Sequence, residues 1–131
     1  MFKICTTIEQ SKKLIKLGVD VNTADMFWDT LFAKKPEAQV NNHHLVDEYD
    51  DEHRVPAWSL SVLLSLMPFH YIENNNRFGF YQVKGLNKQG ETYHFGYKTN
   101  NDFFLFETSW YNDVIDAAFE MICWLKENNK I

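Results

Sequence analysis

Apolar positions along the chain change rhythm several times, and the changes divide it into parts. Residues 8–17 have a helical rhythm. Ile8, Leu14, Ile15 and Leu17 fall on one side at about 100° per residue, and Glu9, Lys12, Lys13 and Lys16 on the other. Thr6 and Glu9 stand at capping-box spacing. Glu9 precedes Lys13 by four, the favourable order. Gly18 suits a left-handed cap after the last apolar residue.

Residues 19–39 have no clean period. Met26, Phe27, Trp28, Leu31 and Phe32 are apolar enough to bury, which predicts a packed loop or short turns of helix. "KKPEAQVNN" reads as an exposed excursion. Pro56 is well placed as the first residue of a second helix. That helix runs to Pro68, which ends it, with Leu60, Leu63, Leu64 and Met67 as its apolar side.

From Phe69 to Trp110 the rhythm shortens to two. Tyr93, Phe95 and Tyr97 alternate with Thr92, His94, Gly96 and Lys98, as in a strand with one buried face. The aromatic stretches are separated by "NNN", "GLNKQG" and "KTNND", which are turn chemistry. This predicts an antiparallel meander of three to four strands, with Gly79 and Gly96 marking a bulge or a close approach. His94, on the polar phase, reads as structural or solvated.

The helical period returns from about Asp113 to Glu127, with Asn112 as N-cap. Val114, Ile115, Ala118, Phe119, Met121, Ile122 and Leu125 span a wide apolar arc. Asp113, Asp116, Glu120 and Glu127 make the opposite stripe. The expected fold class is therefore α+β, one domain over residues 1–131. Two N-terminal helices precede the meander, and a C-terminal helix packs on the sheet. An exposed acidic connector is expected near residues 33–55.

Composition narrows the function classes. A chain of 131 residues suits one core. Hydrophobic residues at 45% and charged residues at 24% exclude disorder of the whole chain. Aromatics at 16% let few side chains fill a small core and leave some for contacts. The net charge of −5 is uneven: residues 36–56 carry six acids against one Arg, residues 1–35 six Lys against four acids. Lys12, Lys13 and Lys16 form a small cluster that reads as the wet face of a helix. Nucleic-acid binding, which needs a broad cationic face, is not expected. No apolar run approaches the roughly 20 residues that cross a bilayer. The N-terminus has no apolar core or cleavage site, so no signal peptide is expected. Cys5 and Cys123 are too far apart for a disulfide framework or zinc knuckle and read as reduced thiols in a cytoplasmic protein.

Candidate chemistry is sparse. The chain has no P-loop, G-x-G-x-x-G, H-E-x-x-H, EF-hand or G-x-S-x-G pattern. "NNHHLVDEYDDEHR", Asn41 to Arg54, gathers three of the five histidines among five carboxylates. In a helix, His43 would share a face with Asp47, and His44 with Glu48. With His53 these imidazoles and carboxylates could take a transition ion. A zinc site needs four fixed ligands, or three and an open position. The carboxylates here follow no such rhythm, and a like-charge run such as Asp50-Asp51-Glu52 is usually solvated. The favoured reading is the exposed connector, with Asp50, Asp51 and Glu52 able to meet a cationic partner. Trp28, Trp58 and Trp124 are the candidate anchors for that partner. Trp124 projects near the acidic stripe, either packed against a loop or exposed. No cofactor is expected. Open strand edges or exposed aromatics leave room for a homodimer.

"TTIEQSKKLIKLGVDVNTADMFW", "VPAWSLSVLLSLMP" and "DAAFEMICWLKENN" together resemble a group of small uncharacterised proteins carried by prophages and mobile elements of gut anaerobic bacteria. The resemblance covers both ends and the middle helix. It implies a bacterial, cytoplasmic setting and a phage or mobile-element origin, and it carries no catalytic residue, cofactor or substrate. With the missing motifs and the aromatic richness, it leads to an expectation. The chain is a non-enzymatic accessory protein that binds another protein. The alternative is a metal-dependent hydrolase or nuclease-like enzyme using His43, His44, Asp47 and His53.

Overall fold

Two antiparallel sheets, not the single meander expected, carry the computed structural model, which describes residues 3–30, 35–38 and 53–131. The class is α+β, with three α-helices among the described residues.

Helix α1 spans Ile8–Lys16, and its cap is Thr7, one residue later than expected. Gln10 N donates to the Thr7 hydroxyl at 3.1 Å, and Thr7 N donates to Gln10 Oε1 at 3.0 Å, a complete capping box. Thr6 is unavailable for that task. Its buried hydroxyl meets Ser11 Oγ at 2.8 Å and accepts from Trp58 N at 3.1 Å. Gly18 adopts φ +94, the left-handed cap that its position called for.

A 3-10 turn at Val21–Thr23 leads into the smaller sheet. Its strands are β1 (Met26–Asp29), β2 (Glu37–Ala38) and β3 (Arg54–Ala57), in the order β2-β1-β3. The region read as loop or helical turns thus holds a strand, stabilised by its neighbours and not by its own pattern. Parts of the stretch read as an exposed connector, Glu37–Ala38 and Arg54–Val55, are sheet as well. Pro56 does not open a helix. It lies in β3 opposite Phe27, at a sheet edge where a residue without N–H is tolerated. Helix α2 begins later, at Leu60, and runs to Leu66 with Ser59 as N-cap. Asp25 fixes that cap, accepting from Ser59 N at 2.9 Å and from Ser59 Oγ at 2.6 Å. The expected pair of N-terminal helices joined by a loop is thus corrected: a three-stranded sheet lies between α1 and α2 in sequence.

The larger sheet is the meander that the turn chemistry predicted. Strands β4 (His70–Glu73), β5 (Asn76–Asn87), β6 (Gly90–Lys98) and β7 (Phe104–Glu107) lie in sequence order. Asn74 and Asn75 both take positive φ, which the tight β4–β5 turn requires and asparagine tolerates. Helix α3 spans Val114–Glu127, with Asp113, not Asn112, as N-cap. The Asp113 carboxylate accepts from Ile115 N at 2.9 Å and from Lys3 N at 2.8 Å. Asn112 instead donates to the Glu91 carbonyl and to Asn87.

One face of the larger sheet packs on α3. Phe78, Phe95 and Tyr97 join Ile115, Ala118, Met121, Ile122 and Leu125, with Leu14, Trp58 and Leu63 completing the core. Each of the Phe, Leu, Ile and Met side chains contributes roughly 1.5–3 kcal/mol on burial. The acidic stripe of α3 is not simply solvated. Asp116 receives Lys3 Nζ and Gln10 Nε2, and Glu120 receives the Tyr111 hydroxyl and Ser109 N. Among the described residues, no helix is long and apolar enough to cross a membrane.

Candidate functional site

Of the residues singled out by sequence, His53, Trp28, Trp58 and Trp124 are described. His43, His44, Asp47, Asp50, Asp51 and Glu52 lie outside the described residues. His53 is half-buried, and its carbonyl accepts from Thr30 N at 2.8 Å. Among the described residues, no group of three or more His, Cys, Asp or Glu side chains is placed to hold a metal ion. Trp58 is 0% exposed, so it is a core side chain and not a surface anchor. Its indole N–H donates to Thr23 Oγ1 at 2.8 Å. Trp28 is half-buried and donates to the Thr6 carbonyl at 2.9 Å. Trp124 stacks on Phe106 of β7, with ring centroids 4.6 Å apart and planes at 9°. It packs on a strand, which answers the loop-or-anchor alternative. The two thiols are buried. Burial, then Asp25, pushes Cys5 up to about 11; burial, opposed by Lys13 and supported by Glu127 and Glu120, pushes Cys123 up to about 11. Neither is an activated nucleophile.

A different cluster forms on the face of the larger sheet that points away from α3. Alternation along β6 turns Phe95 and Tyr97 to the core and leaves Thr92, His94, Gly96 and Lys98 on the outer face. Register supplies their neighbours. Tyr81 of β5 and Glu107 of β7 both stand opposite Gly96, and Val83 stands opposite His94. Two glycines let aromatic rings lie close to the backbone. A Cβ at Gly96 would collide with the Tyr81 ring, and one at Gly85 would stand 3.3 Å from Trp110 Cζ3. Gly96 is thus the close approach that its place in a strand signalled.

His94 sits at the centre, 9% exposed. Trp110 stacks on it at 4.2 Å and 26°, and Tyr81 meets it edge-on at 5.8 Å. Its Nε2 is 3.8 Å from Glu107 Oε2, too long for a hydrogen bond. The Tyr81 ring also meets Phe104 at 6.2 Å and lies under Lys98 Nζ at 5.0 Å. The Tyr81 hydroxyl is buried with no hydrogen-bond partner among the described residues. Burial first, then the Glu107 and Asp102 carboxylates, hold that phenol well above its ordinary range.

Around this buried centre, exposed apolar side chains stand among polar ones such as Lys98 and Glu107. Trp110 is 50% exposed and Phe104 51%, and Val83 and Ile72 add to the same face. An open hollow of 290 Å³ lies beside Trp110, lined by Gly85, Leu86, Asn87 and Thr92. Lys98, the cation nearest the rings, is paired with Asp102 at 3.0 Å. The arrangement presents half-exposed ring faces beside His94, Lys98 and Glu107.

Sequence reasoning gave His94 its phase but did not single out Tyr81, Phe104, Glu107 or Trp110. Tyr81 lies in β5 and Phe104 and Glu107 in β7, and strand register, which alternation in β6 does not reveal, brings them to the face of His94. Nothing in the spacing shows that Trp110, beyond the last strand, folds back onto His94. No family model, curated protein or solved structure matches the chain.

Proposed function

We propose that this chain is a non-enzymatic accessory protein of a phage or mobile element that acts by binding another protein. Its contact surface, in this reading, is the outer face of the larger sheet centred on Trp110. One observation carries the proposal. Trp110 and Phe104 stand half-exposed around the nearly buried His94 on the sheet face opposite α3.

Three physical arguments support it. Apolar patches with polar rims mark interaction sites on soluble domains. Tryptophan and tyrosine are the side chains that dominate contact energies. The stack on His94 and the glycine beds hold the rings in place, so little side-chain freedom is lost on binding. A protein suits this face better than a nucleic acid does. The net charge is −5, so phosphate attraction is weak. The phage setting rests on the resemblance of the three sequence stretches.

The test compares the tagged chain with Trp110→Ala in capture from a bacterial lysate, followed by calorimetry on the purified pair. The expected result is a stoichiometric protein whose affinity falls by about 2 kcal/mol or more in the variant, a hot-spot loss. Capture of no stoichiometric protein, or equal affinity for Trp110→Ala, overturns the reading.

A further inference from the structure

Strand β5 has twelve residues and its neighbour β4 has four, so the two are unequal partners. Their pairing ends at His70 and Gly79, with one further hydrogen bond from Phe80 N to the Phe69 carbonyl at 3.0 Å. From Gln82 to Asn87, β5 is paired only on its β6 side among the described residues.

Register shows which backbone groups are left. Tyr93 and Tyr111 exchange hydrogen bonds at 2.7 and 3.0 Å, and Thr108 N donates to the Phe95 carbonyl at 2.8 Å. The odd-numbered residues of β6 therefore direct their backbone groups toward β7, and Thr92 and His94 direct theirs toward β5. Gly85 and Val83 stand opposite these two and bond inward. Gln82, Lys84 and Leu86 direct their N–H and C=O groups outward, the direction in which Phe80 N already bonds Phe69. All three residues are exposed, and Leu86 is 81% exposed.

A row of alternating outward donors and acceptors matches an extended polypeptide, which satisfies each group in turn. Charge selects among polypeptides. The stretch Gln82–Lys88 has two lysines and no carboxylate. A second copy of the chain, paired symmetrically about Lys84, sets two Lys84 side chains opposite each other, which is destabilising. A segment with an acid at that place reverses the sign. The contact of Lys84 with Glu91, at 3.2 Å, is exposed on both sides and is therefore weak enough to be shared. The hollow beside Trp110 is continuous with this edge through Gly85 and Leu86. We propose that the β5 edge from Gln82 to Leu86 is a docking site for an extended acidic segment of another protein, which joins the larger sheet as an added strand. This deepens the binding reading above and rests on it, but it uses backbone groups instead of ring faces.

The test is amide hydrogen exchange on the full chain with a capped peptide of about six residues, a usual strand length, alternating valine and glutamate. The same peptide with lysine for glutamate is the control. At saturation the amides of Gln82, Lys84 and Leu86 slow about tenfold or more, while Val83 and Gly85, already bonded, do not change. The lysine peptide has no effect on the wild-type chain and slows the same amides in Lys84→Glu. The proposal is overturned if the glutamate peptide slows none of the three amides, or if both peptides slow them equally. Failure here with Trp110-dependent capture intact removes the edge and keeps the face. Slowing at the edge without Trp110-dependent capture removes the face and keeps the edge.

Discussion

The two faces of the larger sheet are both aromatic, yet they are finished differently. On the inner face Phe95 and Tyr97 are fully buried against α3, and the Tyr97 hydroxyl donates to the Pro68 carbonyl at 2.7 Å. On the outer face Trp110 and Phe104 keep half their surface. Aromatic content alone therefore says nothing about which face is core. The strand's alternation separates them, and the helix decides which side is closed.

The largest test of that difference is Phe95→Ala. It removes a fully buried ring and is expected to cost about 3–5 kcal/mol, a large share of a domain's stability, in urea unfolding. A loss below that of an outer-face variant would break the distinction.

Gly96→Ala probes the other face. The new methyl displaces the Tyr81 ring, and overpacking of this kind costs about 1–3 kcal/mol. NMR of the variant is expected to show shifts at Tyr81 and His94 with the Phe95 ring unmoved. Shifts confined to the inner face would contradict the assignment.

A smaller effect concerns the helix over the inner face. Burial raises the Cys123 thiol from 9.0 to about 11. The folded state then holds its proton more firmly than the unfolded state. The resulting stability is full below pH 9 and is lost as pH rises through 11. Urea unfolding of the wild type should weaken more steeply between pH 9 and 11 than that of Cys123→Ala; parallel curves would place the thiol in water.

The smallest is Phe104→Ala. Its half-exposed ring should change stability by about 0.5 kcal/mol, within the range of surface substitutions, while weakening the partner.

Legibility in the sequence followed element length. Helices α1 and α3 and strand β6 are long enough for their periods to stand out, and Asn74-Asn75 marked a turn by its chemistry. The small sheet was hidden because β1 and β3 have four residues each and β2 has two, too few for alternation to register. Pro56 fits the first turn of a helix and an edge strand equally well, and only pairing with Phe27 distinguishes them. Trp58 looked like a surface residue because its cover comes from residues distant in sequence, such as Leu14 and Thr23. The candidate site was half legible. Alternation places His94 and Gly96 on one face, but the stack of Trp110 on His94 depends on the path of the chain after β7.

The most direct measurement of the central claim is oxidative footprinting of the chain, free and bound to its captured partner. The account predicts that Trp110 and Phe104 are oxidised readily when free and are protected in the complex, with exposed Phe69 unchanged. Protection at Phe69 with none at Trp110 or Phe104 would contradict it.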